Sequence, residues 1–486
     1  MILSIYWGKI VTESSLPLVV DLDGTLILTD SLHETLISML KLYPFKLFKL
    51  IKIYFQGKAE FKKFVYEHSN FNADKIPYRH ELVNYIQKQR QQGRKVILAT
   101  AAYKDIAYKV ADFLNCFDDV IATDSQKNLK GINKFNAIEQ KIGRKFIYAG
   151  DDSADLPIWK EASGAIVTGN KTDKLIKIIK QSGTPVLKQF SNEDKKMMTW
   201  LKAIRLHQCL KNLLLFVPLL TSFQFYDFQK FLIVSTAFIA FSLGASATYI
   251  LNDLWDLEND RQHLNKRHRP FASGNLSIAQ GLRVSLLLLT SAGLISILIS
   301  RYFFGIFLLY LLITTLYSLR LKQIILLDII VLSVLYTVRL LAGGVVANIE
   351  LSYSLLAFSV LIFLSLATVK RCAELVSKSD ENNSIAGRGY IKADLDILWP
   401  LGISTYIGAI IVFGLYINAP ETIVYYRTPA LLWLAQLLMV YLIGNLWMMT
   451  KRGLMHDDPI VFFIQDKKSL ILLALIIYII LLARYI

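Results

Sequence analysis

The chain has 486 residues, 54% of them hydrophobic and 19% charged, with a formal net charge of +16. That length allows two or three ordinary domains, and that apolar content excludes an average soluble protein. The positive charge calls for no nucleic-acid partner, because a membrane protein gathers Lys and Arg on its cytoplasmic side.

The apolar excess is uneven. Up to about Phe190 charge mixes with short apolar runs, whereas beyond Trp200 there are repeated stretches of about 20 residues, long enough to cross a bilayer. A soluble domain over residues 1–190 followed by an integral membrane domain over 191–486 is therefore expected. The first 20 residues lack the basic start, apolar run and small-residue cleavage site of a signal peptide. Cys116, Cys209 and Cys372 are isolated, with no CxxC spacing, so a disulfide or zinc framework is not expected.

In the first part, short β-rich runs alternate with helical patterns: LPLVVDL (16–22), KVILATA (95–101), DVIATD (119–124), KFIYAGDD (145–152) and GAIVTG (164–169). This alternation predicts an α/β domain with a parallel sheet, whose active site lies at the carboxyl ends of the strands. The insert between the first two strands, roughly 31–90, reads as a small helical cap. Within it, KLYPFKLFKLIKIYFQGK sets Lys41, Lys46, Lys49 and Lys52 among aromatic and aliphatic residues. Such a helix either lies on an anionic membrane surface or packs its apolar side on the core.

The strand ends carry the chemistry of phosphoryl transfer. Asp21 and Asp23 stand two apart in DLDGT, so that one carboxylate can attack phosphorus while the other protonates the leaving oxygen. Thr100 offers a hydroxyl, and Lys130 in NLKG, or as second choice Lys134, offers a cation. Asp151, Asp152 and Asp155 in GDDSADLP can hold magnesium together with Asp21, and Asp23 is a further candidate ligand. The ordered set resembles the haloacid dehalogenase (HAD) phosphatase superfamily. The resemblance implies a Rossmann-like fold, Asp21 as the residue that becomes an aspartyl-phosphate, Asp23 as acid and base, and Mg²⁺ on the GDxxxD carboxylates. A degenerate fold kept as a scaffold or docking module is the alternative.

The second part yields nine candidate spans near residues 212–224, 230–251, 280–300, 302–318, 323–346, 352–369, 397–418, 428–449 and 469–485. Basic residues alternate between the connections. Lys195, Lys196, Lys202 and Lys211 precede the first span, and Arg261, Lys266, Arg267 and Arg269 follow the second. Further clusters follow the fourth, sixth and eighth, including Arg320, Lys322, Lys370, Arg371, Lys378, Arg388 and Lys451. The positive-inside rule then puts the amino-terminal domain on the cytoplasmic side and the carboxyl terminus outside.

After the second span comes NDLWDLENDRQHLNKRHRPFASG, with Asp253, Asp256 and Asp260 spaced to share one helical face. Acids at a membrane boundary need a cationic partner. Magnesium bridging to a diphosphate fits, with Asn252 as an added oxygen ligand and Lys266, Arg267 and Arg269 within reach of phosphate oxygens. This block resembles the first aspartate-rich motif of the UbiA prenyltransferase superfamily, and IRLHQCLKN, ending in Lys211 and Asn212, is similar to that family's start. The resemblance implies an all-α membrane domain of nine helices, binding Mg²⁺ and moving a group away from a diphosphate.

Where prenyl-diphosphate users carry a second DxxxD motif, this chain reads ATVKRCAELVSKSDENNSIAGRGY. Lys370, Arg371 and Glu374 replace paired aspartates, with Asp380 and Glu381 adjacent and Arg388 and Tyr390 downstream. Cations at such a place suit an anionic lipid phosphate. With YSLRLK (including Lys322), Asp328 and Arg339 in VRLLAGG, the pattern resembles the branch containing decaprenyl-phosphate phosphoribosyltransferase. That resemblance implies 5-phosphoribosyl pyrophosphate (PRPP) as donor, a polyprenyl phosphate as acceptor, a bacterial inner-membrane location and both sites on the cytoplasmic side. The HAD domain would then dephosphorylate the phosphoribosyl lipid. Two alternatives stay open: a structural Arg371–Glu374 pair one turn apart, and a prenyltransferase acting on a small acceptor with an unrelated or regulatory HAD domain.

Overall fold

The computed structural model describes residues 16–124, 128–169, 172–191, 196–377, 388–455 and 459–486; Lys195, Lys378, Asp380 and Glu381 lie outside them. The chain divides into two compact units. One comprises residues up to Ile204 together with Ile250–Val284, and the other Arg205–Tyr249 with Ser285–Ile486. Residues 250–284, assigned to the membrane half by the sequence division at 190, thus cluster with the α/β unit.

In the first unit, β1 (Leu18–Val20), β2 (Val96–Tyr103), β3 (Asp119–Thr123), β4 (Ile147–Gly150), β5 (Gly164–Gly169) and β6 (Val186–Ser191) form one sheet of order β3-β2-β1-β4-β5-β6. Every pairing is parallel. β1, β4 and β5 are wholly buried, as expected for strands covered on both faces. The edge strand β6 escapes a hydrophobicity-based reading because VLKQFS is mostly exposed. β1 lies between β2 and β4, so the residues after β1 and β4 emerge side by side where the strand order reverses, the usual place for a ligand crevice.

The insert holds α1 (Ser31–Leu42), α2 (Leu47–Tyr54), α3 (Lys58–Glu67) and α4 (His80–Gln91). The first three close their own small core around Met39, Leu50, Ile53, Phe64 and Val65. The fourth instead buries Leu82, Val83 and Ile86 in the main core with Leu18, Val20 and Leu98. The cap is accordingly shorter than 31–90, because the apolar stripe of α4 faces the sheet. Helices α5 (Lys104–Leu114), α6 (Ile132–Ile142), α7 (Leu156–Glu161) and α8 (Thr172–Gln181) complete the layers.

Among the described residues, eight helices are long and apolar enough to cross a membrane: Phe228–Trp255, Ile278–Ile299, Arg301–Leu319, Leu327–Ala347, Tyr353–Val376, Lys392–Ile417, Pro429–Lys451 and Lys467–Tyr485. The first span expected from sequence, 212–224, is broken. A 3₁₀ stretch, Leu206–Phe216, runs into a short α-helix, Val217–Thr221, and passes as a ninth span only when joined to the preceding helix. In the second unit the helices close two main cores, one around Leu215, Phe241, Phe307 and Leu335, the other around Phe363, Leu398, Leu446 and Trp447.

Candidate active sites

Three carboxylates, Asp21 after β1 and Asp151 and Asp155 after β4, offer oxygens within 4.8 Å of one another. The turn geometry that brings them together is demanding. Gly24 has φ +75°, and a Cβ there would stand 2.2 Å from an Asp151 oxygen, so the DxDGT turn can approach Asp151 this closely only with glycine. The Thr25 hydroxyl donates to Asp151 Oδ1 at 3.2 Å. Arg79, just before α4, donates to the carbonyls of Thr25 (3.0 Å) and Gly24 (3.1 Å) and braces the turn.

Lys134, in the first turn of α6, is 3% exposed, with Nζ 2.9 Å from Asp21 Oδ1, 3.4 Å from Asp155 Oδ1 and 2.9 Å from the Tyr148 hydroxyl. It holds the position against the first aspartate for which the sequence favoured Lys130. Lys130 instead lines the cavity beside the site. Burial opposes the Lys134 charge, but Asp21 and Asp155 overcome this and hold the ammonium's pKa above its usual value. Burial also pushes Asp21 up to about 6, against the attraction of Lys134. Asp151 rises to about 8 through burial and the neighbouring charges of Asp21 and Asp155. Three carboxylates crowded together beside one buried ammonium are what a divalent cation would stabilise, so the donor set fits Mg²⁺.

Asp23 stands apart from this trio. Its Oδ1 accepts the Ser31 N–H at 2.8 Å, and burial, followed by the nearby Asp30 charge, raises it to about 7. That suits a group that gives and takes a proton rather than a metal ligand, the second role suggested for it. Thr100 is fully buried, and its hydroxyl accepts the Ala102 N–H at 3.0 Å. The cavity wall there is formed by Ala101, Ala102 and Tyr103, not by the expected Thr100 hydroxyl.

The cavity measures about 550 Å³ and includes residues that sequence reasoning missed. Lys58 and Lys62 enter from cap helix α3, and Lys62 donates to the Ala101 carbonyl (2.6 Å) and to Asn128 Oδ1 (2.9 Å). The other wall is formed by Gly274, Asn275, Ser277 and Gln280, downstream of the aspartate-rich segment. Gly274, at φ +78°, is pressed against Leu28 so closely that a Cβ would stand 2.5 Å from the Leu28 Cβ. Arg261 fixes the same segment to the cap, pairing with Glu34 at 2.6 Å with both side chains 9% exposed. It also donates to the carbonyls of Lys75 and Ala272. The Arg261–Glu34 pair has no local sequence signal, since its partners lie 227 residues apart.

The aspartate-rich segment does not run as one helix. Phe228–Trp255 ends before Asp256, which stands at the start of the next short helix, Leu257–Gln262, without a side-chain capping hydrogen bond. Asp253 and Asp260 are buried and share Arg269, whose Nη1 lies 3.2 and 2.6 Å from their oxygens. Unlike Asp21, Asp151 and Asp155, the acids Asp253, Asp256 and Asp260 do not form a group whose oxygens all lie within 4.8 Å of one another among the described residues. Asn252 and Lys266 are half-buried and Arg267 is exposed. Arg269, expected to reach phosphate oxygens, thus places its one positive charge between the two buried acids, where the sequence pointed to magnesium.

In the second unit, Arg339 is buried and donates to Asn212 Oδ1 (2.9 Å) and the Tyr310 hydroxyl (3.1 Å). Lys211 lies over the Tyr336 ring at 5.8 Å. Arg371, expected to bind phosphate, is fully buried and already committed: it pairs with Asp328, with Glu374 at 2.6 Å, and with the Tyr317 hydroxyl at 3.1 Å. Arg388 reaches the same Glu374 oxygen at 3.1 Å. The structural pair considered as the alternative is therefore present, extended into a network. Tyr390 is also buried, its hydroxyl accepting the Leu326 N–H at 2.9 Å, so it anchors a turn. Lys322 and Lys370 are half-buried.

Comparison with known proteins adds two family matches: UbiA prenyltransferase family over residues 215–466 and haloacid dehalogenase-like hydrolase over residues 18–160. The uncharacterized protein y4nM of Sinorhizobium fredii is 36% identical over 470 residues, covering 96% of this chain and 90% of that protein. Nodulation protein NoeC of Azorhizobium caulinodans is 35% identical over 278 residues, 56% of this chain and 89% of that protein. Decaprenyl-phosphate phosphoribosyltransferase of Corynebacterium glutamicum is 31% identical over 229 residues, 46% of this chain and 69% of that protein.

Proposed function

The chain belongs to the UbiA prenyltransferase family and carries a HAD-like hydrolase domain ahead of it, and from that premise we propose that it builds and then dephosphorylates a sugar lipid. The membrane half transfers 5-phosphoribose from PRPP to a polyprenyl phosphate. A lipid phosphate oxygen forms the bond to C1 of the sugar as the bond from C1 to pyrophosphate breaks, and the pyrophosphate leaves with that electron pair. Asp253, Asp256, Asp260 and Asn252 would hold Mg²⁺ and the diphosphate, with Lys266, Arg267, Arg269, Lys211, Lys322 and Lys370 as the cations toward the phosphates of donor and acceptor. Arg371, Glu374, Arg388 and Arg339 position these helices.

The α/β half then removes the 5-phosphate. Asp21 attacks phosphorus while Asp23, protonated near neutral pH, gives its proton to the departing sugar oxygen; water attacks the resulting aspartyl-phosphate with Asp23 as base. Lys134 holds Asp21 as a carboxylate aimed at the cavity. When bound at Asp21, Asp151 and Asp155, Mg²⁺ supplies charge neutralisation for the transferring phosphoryl group. Both sites would face the cytoplasm of a bacterial inner membrane, in keeping with the basic connections between spans.

The observation that carries this reading is the shared construction. The segment bearing Asp253 and Asp260 also supplies Arg261, paired with the cap, and the cavity wall Gly274–Gln280. A phosphatase serving an unrelated soluble phosphate has no need of a transferase segment in its wall. Membranes containing the chain, given labelled PRPP and polyprenyl phosphate, should yield a labelled lipid, and Asp21→Asn should accumulate a lipid heavier by one phosphate in mass spectra. No lipid label from PRPP, with label appearing instead from a prenyl diphosphate, would make the chain a prenyltransferase of small acceptors.

A further inference from the structure

The cap helix α2 is apolar on two faces, and only one is covered. Leu50 and Ile53 turn inward on the cap core, while Phe48 is 76% exposed and Ile51 58%. Phe45, just before the helix, and Phe55, just after it, are 86% and 83% exposed. An apolar surface of this kind is normally held against something other than water. Interleaved with it are the basic residues Lys46, Lys49 and Lys52, the last two exposed.

Two observations identify the partner. The patch is aromatic and purely basic from Lys41 to Phe55, with no acidic residue in that stretch, which complements an anionic surface rather than a mixed protein surface. It also begins beside a tryptophan at the end of a long apolar helix: Lys41, at the end of α1, lies 5.9 Å over the ring of Trp255, the last residue of Phe228–Trp255. Tryptophan at such a helix end marks the level of the lipid headgroups.

We propose that the outer face of the cap, Phe45–Phe55, docks on the anionic leaflet of the bilayer, with Phe45, Phe48, Ile51 and Phe55 among the acyl-chain boundary and Lys46, Lys49 and Lys52 on lipid phosphates. The docking stands on surface chemistry alone and does not depend on which phosphate the site hydrolyses.

The test uses the full-length chain in vesicles of phosphatidylcholine with phosphatidylglycerol. A fluorophore is placed through Phe48→Cys, and in a second protein through Lys180→Cys at the exposed end of α8, with labelled wild type as the background for native cysteines. A nitroxide on the acyl chains should quench position 48 strongly and position 180 weakly, and aqueous iodide should do the reverse. Lys46→Glu, Lys49→Glu and Lys52→Glu, added to Phe48→Cys, should remove the difference, since each surface lysine strengthens such association about fivefold. Phosphatidylcholine alone should weaken it similarly. Equal quenching of both positions by iodide in anionic vesicles overturns the proposal. So does energy transfer between position-48 labels on neighbouring chains in place of lipid quenching, which would make a second copy the occupant.

Discussion

At the Asp21 site, one buried ammonium, that of Lys134, is shared by Asp21, Asp155 and Tyr148. Removing the charge by Lys134→Met leaves Asp21 and Asp155 buried without their cation, and hydrolysis of a small phosphate ester should fall on the order of 10²–10³-fold, the usual cost of losing one electrostatic partner in a site. Lys130→Met, at the cavity edge, should cost far less, and steady-state kinetics on the two variants separates them. If Lys130→Met proves the more damaging, the assignment of the two lysines reverses. The same residues set a pH dependence. Asp21, Asp23 and Asp151 are raised from 3.8 to about 6, 7 and 8, so the folded protein binds these protons more tightly than the unfolded chain. Their contribution to stability is thus complete below about pH 4 and is lost as the pH rises through 6 to 8. Mg²⁺ must displace such protons from Asp21 and Asp151, so its affinity rises over that window. Thermal unfolding should show a larger Mg²⁺-induced rise in Tm at pH 8 than at pH 6; the opposite order would mean that Mg²⁺ does not bind at these carboxylates.

Among the elements, strands and membrane helices were readable from the chain because each is a local pattern. GAIVTG predicts a strand over 164–169 and the structure has one at Gly164–Gly169, and the long apolar runs became helices. What escaped depends on distant partners. Lys134 is distinguished from Lys130 only by the way α6 starts after Gly131, and Arg371 is committed by Asp328, 43 residues upstream. The Glu34–Arg261 pair is of the same kind. Glu34 also accepts from the Thr29 hydroxyl at 2.7 Å, and the Thr29 carbonyl accepts the Gly24 N–H at 3.2 Å, so the aspartate-rich segment is linked to the DxDGT turn through three hydrogen-bonded steps. Arg261→Ala leaves a buried carboxylate without its partner, at a cost of about 3–5 kcal/mol. A lower Tm together with weakened phosphatase activity is expected. Arg261→Ala with Glu34→Gln should recover much of the stability, because no buried charge is left over. If the double variant is no more stable than Arg261→Ala, the pair is not what holds the segment.

On the scale of the whole molecule, one chain carries a UbiA-family region and a HAD-like domain, and the proposed function passes a lipid from the chemistry of the first to that of the second. A product released beside a tethered second site meets it at an effective concentration far above that of free chains in the same membrane. The two proposed activities can be silenced separately: Asp253→Asn removes an acid of the aspartate-rich segment, and Asp21→Asn removes the proposed nucleophile. Membranes carrying a mixture of the two single variants then contain every working part, but never both in one chain. If transfer and dephosphorylation are coupled within a chain, the mixture should accumulate the phosphorylated sugar lipid and convert it more slowly than wild type at equal total activity. The lag should grow as the protein is diluted with lipid, because conversion then needs an encounter between two chains. Conversion at the wild-type rate at every dilution, read by mass spectrometry of the lipid over time, would mean that the intermediate diffuses freely and that the fusion does not direct it.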